Sequence, residues 1–352
     1  MPRLRRVDCA GPGLARVRRG RGFSYVDEDG RPVKDPDVLQ RIKALAIPPA
    51  WNDVWICSAP NGHIQAIGTD AAGRRQYRYH DQWRVQRDAA KHDRVLEFAA
   101  RLTDAREDSA AHLSLDGMPR ERALATAFHL LDIGFFRIGG EEYAEKNETF
   151  GLATIRRDHV TVSRDGVITF DFVAKHNKQT VRTIAQPEVC EAVRVLKRRR
   201  GGGDELLAYR GPKGWVDIKS TDINEYLREL LGPDIEASAK DFRTWHATVL
   251  MAVGLAVSTS APTSTTARRR AVNRALGEVA HYLGNTPAIC RSSYVDPRVI
   301  DYYDGGVTIA AALGKLGADL DIGQPATRGA AETAVLQMLR GGASSAQRRR
   351  AS

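Results

Sequence analysis

Tyr294 closes the stretch GNTPAICRSSY, nine residues after Asn285, in a chain rich in arginine. Upstream, Arg137 stands in GFFRIGG, Lys175 ends the apolar run ITFDFVAK, and Arg243 lies in KDFRTWHATVL among Phe242, Trp245, Val249 and Leu250. Singly, each has an ordinary reading. Arg137 and Arg243 would be core arginines paired with Glu141 or Asp241, Lys175 a solvated turn residue, and Tyr294 a core tyrosine. Asn285 would be a helix stop after Gly284, with Thr286 and Pro287 opening the next helix. Together, two guanidiniums, an ammonium, an amide and a phenol are what metal-free transesterification of a phosphodiester requires. A phenol of pKa about 10 attacks phosphorus at neutral pH only when cations surround it. Two guanidiniums grip the non-bridging oxygens bidentately and stay charged at any working pH. A lysine on a turn supplies the proton that a departing sugar oxygen needs, and an amide adds one more hydrogen bond. The arginines take the charge role of a divalent ion, so neither a metal nor another cofactor is expected.

The elements that must hold these groups are partly legible. Gly22–Val33 carries an Asp-Gly turn between short strand-like pieces, and Asp35–Ile47 reads as a helix with an Asp start. VWICSA, HIQAIGT and RRQYRYH read as three strands split by turns, which makes a small α+β domain ending near Tyr79. From Gln82 the pattern is long, charged and helical in period. PRERALATAFHLLDIGFFRIGG continues as a helix with Leu124, Phe128 and Leu131 on one face. A meander of GLATIRRD, HVTVSRDG and VITFDFVAK follows, then about four helices over 187–304, with Ser258–Ala267 a polar loop between two of them. Expected domains are a basic flexible segment 1–22, an N-terminal domain 23–82, a catalytic domain 83–310 and a tail 311–352 whose last part is disordered.

Composition limits the partners. The chain has 352 residues, 42% hydrophobic and 27% charged, enough for two domains with sizeable cores. No run approaches the length of a membrane helix, and the basic N-terminus lacks the apolar stretch of a secretory signal. A cytoplasmic protein with no membrane association is expected. Cys9, Cys57, Cys190 and Cys290 are far apart, which suits free thiols. There is no H-E-x-x-H pair and no phosphate-binding G-x-x-x-x-G-K-[ST] loop. The net charge of +10 implies a polyanion. Basic clusters at Arg3–Arg6, Arg16–Arg21, Lys197–Arg200, Arg268–Arg270 and Arg348–Arg350 are scattered, which suits wrapping a duplex better than lying on a bilayer.

The chain resembles the type IB DNA topoisomerases, in particular their compact poxvirus-like branch in bacteria. The resemblance runs from about Gly22 to Tyr302 and is carried by IPPAW, GRRQYRY, FRIGGEEYAEKNETFGLATI, DFVAK, KDFRTW and LGNTPAICRSSYVDP in that order. It implies an α+β protein with a small sheet-containing N-terminal domain and a larger, mainly helical catalytic domain with a small antiparallel sheet, the fold shared with tyrosine recombinases. It makes Tyr294 the nucleophile that forms a 3′-phosphotyrosyl bond, Arg137 and Arg243 the phosphate clamp, and Lys175 the general acid. Asn285 takes the place of a histidine in the poxvirus enzymes. Arg74, Gln76, Tyr77, Tyr79 and Tyr143 would contact DNA, and Lys240 would lie at the DNA or assist proton delivery. Gly140 and Glu142 stand where the poxviral pattern has lysines, so tight site specificity is not expected. The implied protein is a monomer on double-stranded DNA at the nucleoid that closes as a clamp, needs no nucleotide, and cuts, swivels and reseals one strand. Two other readings compete. A tyrosine recombinase or integrase would carry H-x-x-R where this chain has Lys240-Asp241-Phe242-Arg243, and a non-catalytic DNA-binding protein would need no ordered Arg, Lys, Arg, Tyr set.

Overall fold

The computed structural model describes residues 3–175, 177–258, 264–316 and 327–350, without the side chains of Tyr143 and of residues 315, 316 and 342–350. The chain forms two compact units, Met1–Lys91 and His92–Ser352. The first is built on an antiparallel sheet of β1 (Leu14–Arg19), β2 (Gly22–Val26), β3 (Asn52–Ile56), β4 (Ile64–Thr69) and β5 (Arg75–Tyr79), in the order β2-β1-β3-β4-β5. Helix α1 (Pro36–Ala44) starts where the Asp35 carboxylate accepts from the Asp37 and Val38 N–H groups, with Pro36 fixing the first turn. It buries Ile42 against Val54, Ile56 and Ala66.

The basic N-terminal segment is not the flexible arm expected of residues 1–22. Arg19 pairs with Gly22 across the β1–β2 turn, and Leu14 and Ala15 pair with Ile56 and Trp55 of β3. The arginines hide a strand because their stems and heads find partners. Arg16 lies 4.1 Å over the Phe23 ring and donates to the Pro48 carbonyl at 3.1 Å.

Helix α2 (Asp81–Leu113) runs through the division between the units, which falls well inside it rather than at Gln82. The second unit continues with α3 (Arg120–Gly134), α4 (Glu141–Asn147) and a three-stranded antiparallel sheet of β6 (Val160–Val162), β7 (Ile168–Ala174) and β8 (Lys178–Ile184). After α5 (Pro187–Arg198) comes a hairpin of β9 (Ala208–Gly211) and β10 (Gly214–Asp217). The helices α6 (Ser220–Leu231), α7 (Ala239–Val257), α8 (Thr265–Leu283), α9 (Pro287–Ser293), α10 (Pro297–Asp304), α11 (Ala310–Leu316) and α12 (Ala330–Arg350) complete it. Six helices thus occupy the region where about four were expected, together with a hairpin the pattern did not reveal. Much of the expected loop at 258–267 falls outside the described residues, and α8 begins inside it. No helix among the described residues is long and apolar enough to cross a membrane.

Two further expectations are corrected. GLATI is not a strand of the meander but a 3-10 turn, Leu152–Thr154. Its amides are taken by the segment after α3, Leu152 N–H donating to Arg137 O at 2.8 Å and Ala153 N–H to Ile138 O at 2.7 Å. The C-terminal region is not a bare tail, since it includes α12, which buries Val335 and Leu339 fully. Glu332 accepts from Arg106 at 2.7 Å and from the Trp245 indole N–H at 2.7 Å. Arg106 and Arg328 also bind the fully buried Asp132, and His246 lies 3.1 Å from it. Burial alone would push the Asp132 carboxyl up, but Arg328, His246 and Arg106 hold it well below the usual carboxylate range. Composition suggested a tail because α12 ends in glycine, serine and arginine, whereas its apolar and acidic first turns lock it to α7.

Candidate active site

The site is built around the C-terminal end of α8. The helix stops at Gly284, which takes the left-handed conformation (φ +64°), and the Asn285 N–H folds back on Ala280 O at 3.0 Å. A helix end of this kind leaves carbonyls without helical partners and carries a partial negative charge. Here three arginines take three successive carbonyls. Arg182 donates to Tyr282 O at 2.6 Å, Arg243 to Leu283 O at 2.8 Å and Arg137 to Gly284 O at 3.2 Å. The ordinary reading, in which Arg137 and Arg243 pair with neighbouring acids, does not hold. Glu141 accepts from the N–H and hydroxyl of Ser220 at 2.8 and 3.0 Å, and Asp241 accepts from Ser238 and Arg94. Among the described residues Arg137, Arg182 and Arg243 form no ion pair with a carboxylate.

Each arginine is placed by a local device. Arg137 leaves α3 through Phe135, a non-glycine residue held left-handed (φ +55°), whose carbonyl accepts from Arg243. That conformation is disfavoured by roughly 1 kcal/mol or more, and the bond to a buried guanidinium offsets it. Beyond Arg137 the chain passes Gly151 so closely that a Cβ there would sit 2.8 Å from Arg137 O and 2.5 Å from the Gly139 Cα. Only glycine allows this approach. Arg243 is 3% exposed on α7, whose N-terminus is fixed by Ser238 hydrogen-bonding to Asp241 at 2.9 Å. The same helix holds the segment after α9 through Thr248, whose hydroxyl donates to Thr244 O at 2.9 Å and accepts from the Asp296 N–H at 3.1 Å.

Asn285 and Tyr294 meet this cluster from either end of α9, which Thr286 caps through the Ile289 N–H and Pro287 opens. The Asn285 side-chain carbonyl accepts from Arg137 at 2.5 Å. Because a guanidinium can only donate, that contact fixes the amide orientation and leaves Nδ2 pointing elsewhere. Asn285 Nδ2 is buried with no partner among the described residues, and so is Nε of Arg243. The Arg243 guanidinium carbon lies 5.3 Å from the Tyr294 ring centre. Burial works against ionising the Tyr294 phenol, but the charge of Arg243, followed by those of Lys240 and Arg137, outweighs it and sets the pKa below that of a free tyrosine. Burial, and then the charge of Arg137, pushes Arg243 down to about 10. The cluster is therefore a concentration of positive charge and open donors with a partly activated phenol at its edge.

Arg137, Arg243, Asn285 and Tyr294 thus lie in one cluster, and the charge of Lys240 bears on the Tyr294 phenol. Lys175 ends β7 on an exposed turn beside Asn177 (φ +53°) and makes no hydrogen bond or ion pair among the described residues. Arg182 was missed, and the signal for it was available. On β8 the alternation Lys178, Thr180, Arg182, Ile184 marks one face, and Ile184 is buried. In the first unit, Arg74 and Gln76 are both held by Asp70, at 2.9 Å each. Tyr77 and Tyr79 share the other face of β5, their rings stacked at 6.1 Å, and exposed Arg75 shares that face too. Tyr143 lies on α4, and its side chain is outside the described residues.

Residues 80–305 match the family model for the eukaryotic DNA topoisomerase I catalytic core, and residues 22–70 match the bacterial DNA topoisomerase IB N-terminal domain. The chain belongs to the type IB DNA topoisomerases. It is an isomerase acting on DNA, which sets aside the recombinase and the non-catalytic readings. The DNA topoisomerase 1B of Acanthamoeba polyphaga mimivirus is 28% identical over 298 residues, 83% of this chain and 87% of the viral protein. The DNA topoisomerase 1 of Schizosaccharomyces pombe is 26% identical over 168 residues, which cover 47% of this chain but 19% of the yeast protein. The mitochondrial DNA topoisomerase I of Pan troglodytes is 28% identical over 195 residues, 53% of this chain and 31% of its own length. The enzyme thus spans most of the viral protein and a minor part of the eukaryotic ones.

Proposed function

We propose that Tyr294 is the nucleophile of this topoisomerase and that Arg137, Arg243 and Asn285 hold the scissile phosphate of duplex DNA. The phenol oxygen loses its proton to solvent water and attacks phosphorus. The bond from phosphorus to the 5′ oxygen breaks, leaving the DNA 3′ end on Tyr294. Arg137 and Arg243 neutralise the charge gathering on the non-bridging oxygens, and Asn285 donates to one of them through Nδ2. Lys175, on its exposed turn, gives the leaving oxygen its proton, with Lys240 near the phenol. Religation is the reverse. The observation that carries the reading is the gathering of guanidiniums on the α8 terminus with no carboxylate paired to them among the described residues. Such an arrangement is left short of negative charge until a phosphate enters.

The ester conserves the bond energy, so the enzyme works without nucleotide. The groups around Tyr294 are cations and an amide rather than the carboxylates that hold divalent ions, so the arginines supply the electrophilic charge. All the reacting groups come from one chain, and it acts as a monomer. Phosphate contacts from its excess of positive charge keep it on the nucleoid and make binding steeply salt-dependent. Tyr77, Tyr79 and Tyr143 contact the duplex, with Arg74 and Gln76 steadied by Asp70. The test is plasmid relaxation in EDTA without nucleotide, followed by SDS trapping. Positive and negative supercoils should both relax, and Tyr294→Phe should bind DNA but form no covalent complex. Relaxation that needed magnesium or ATP, or a Tyr294→Phe protein still linked to DNA, would overturn the reading.

A further inference from the structure

The Lys175 hairpin carries two more cations that the chemistry above does not use. Lys178 and Arg182 lie on the same face of β8, two alternations apart, so they point to the same side. Both reach the α8 terminus. A side chain at Gly284 would begin 3.9 Å from the Lys178 ammonium, 4.0 Å from Nη2 of Arg182 and 3.9 Å from Nη1 of Arg137. Three cationic heads therefore surround one point. Arg182 is held there by Tyr282 O at 2.6 Å, while the Lys178 ammonium has no hydrogen bond or ion pair among the described residues. The hairpin's own acid does not compensate them. Asp171 pairs with Val181 across the ladder, on the opposite face, and is engaged by Gln179. Burial and the charge of Arg137 both work against the charged form of Arg182. A protein that gathers like charges in this way, with neutral carbonyl oxygens rather than carboxylates as their acceptors among the described residues, is arranged for an anion.

We infer that Lys178 and Arg182 form a second phosphate subsite, which grips a backbone phosphate next to the scissile one. The inference rests on the reading of Tyr294, Arg137 and Arg243 given above. Because Arg137 borders both groups, one head group of the first site adjoins the second. A flanking phosphate held there would also fix the hairpin, and with it Lys175, against the DNA. Arg182 and Lys178 would then act on cleavage by positioning the strand and the general acid, and would not touch the reacting atoms.

The test uses the full chain and a duplex oligonucleotide that contains a cleavage site mapped by SDS trapping. Each phosphate flanking the scissile one is replaced in turn by a neutral methylphosphonate, and single-turnover cleavage is measured at saturating DNA. In the wild type, neutralising one flanking linkage should slow cleavage about 10- to 100-fold, the loss of one or two charged contacts. Lys178→Ala, an exposed change that leaves the fold intact, and Arg182→Ala should slow cleavage of the all-phosphate duplex, and the double variant should no longer respond to neutralisation of that linkage. Response at the other linkages should persist. A double variant that cleaves at the wild-type rate, or one that loses the same factor as the wild type at every neutral linkage, overturns the subsite. If Tyr294→Phe still becomes trapped, the underlying reading of Tyr294 fails instead, whatever the linkage profile.

Discussion

Replacing Arg243 by alanine separates what the site needs from what the fold needs. In the free protein the buried guanidinium has its pKa lowered from the ordinary arginine range to about 10. That difference corresponds to about 3 kcal/mol of unfavourable free energy for keeping it charged. The direction follows from the sign of the shift. A base with a folded pKa below its unfolded value destabilises the fold in full at any pH below the lower value, so the whole penalty is present at neutral pH and disappears only as pH rises through about 10 towards the ordinary arginine range. Alanine removes it. Alanine also leaves the Phe135 and Leu283 carbonyls without their donor, at about 1–3 kcal/mol each. The two effects oppose one another, and the net change in stability should lie between a gain of about 1 kcal/mol and a loss of about 3 kcal/mol.

Nothing opposes the loss in chemistry. One buried donor to the transition-state phosphate is withdrawn, and cleavage should fall about 100- to 1,000-fold. Urea denaturation gives the first quantity and single-turnover SDS trapping the second. Duplex DNA should also raise the melting temperature less in the variant, because the phosphate no longer relieves a buried charge. If Arg243→Ala instead lost several kcal/mol of stability and its cleavage defect tracked that loss, Arg243 would be a structural residue and the account of the charge cluster would fail.

Three other outcomes follow from the same geometry. Because Arg243 leads the cations that hold the Tyr294 phenol below its ordinary pKa, the ultraviolet phenolate difference between wild type and Tyr294→Phe should titrate below about 10, and Arg243→Ala should move that midpoint upward; an unmoved midpoint would refute the assignment of cause. Ionised Tyr294 stabilises the fold above its unfolded pKa, and this stabilisation fades as pH falls through the lowered folded value. Gly151→Ala must push the segment after α3 away from its 2.8 Å approach at Arg137 O, so cleavage should drop at least about tenfold with DNA binding little changed; an active variant of full rate would show that Arg137 tolerates displacement. At Asn285, histidine should retain a donor and most of the rate, alanine should lose about tenfold, and aspartate, with acceptors only, should be the slowest; equal rates for aspartate and histidine would remove Nδ2 from the mechanism.

The sequence disclosed the site more fully than the fold that supports it. Arg137, Arg243, Asn285 and Tyr294 were legible because their residue types are unusual for their surroundings: arginines beside aromatics and glycines, and a tyrosine at the end of a capped short helix. The helices carrying Leu124, Phe128 and Trp245 were legible from apolar spacing. What was not legible depends on contacts distant in the chain. Arg16 and its neighbours read as a mobile basic arm, since nothing local shows that Ala15 will pair with Trp55. The α12 helix read as a tail because Glu332 has meaning only beside Arg106 and Trp245. Gly151 read as part of a strand, since its close approach to Gly139 lies twelve residues back. Arg182 was passed over although the alternation along β8 sets it on the face of buried Ile184, because its partner, a backbone carbonyl, leaves no trace in residue type.

That last point bears on how the site stays assembled without DNA. Carboxylates would have been the simplest counter-charges for Arg137, Arg182 and Arg243, and they would have competed with the phosphate for the same donors. Helix carbonyls do not compete to the same degree. Each takes one N–H of a guanidinium that has five, and the dipole end offers a partial charge rather than a full one. The arginines are held in place yet remain short of negative charge. The same end of α8 fixes Asn285 through its turn and, by way of Thr286 and α9, sets the distance to Tyr294. Arg243 and Thr248 lie on one helix, so Arg243 and the segment that follows Tyr294 are held by the same element. The tie from α12 through Glu332 to Trp245 steadies α7 two residues from Arg243. The site is preorganised by backbone and helix ends, and its side chains are left to bind the phosphate.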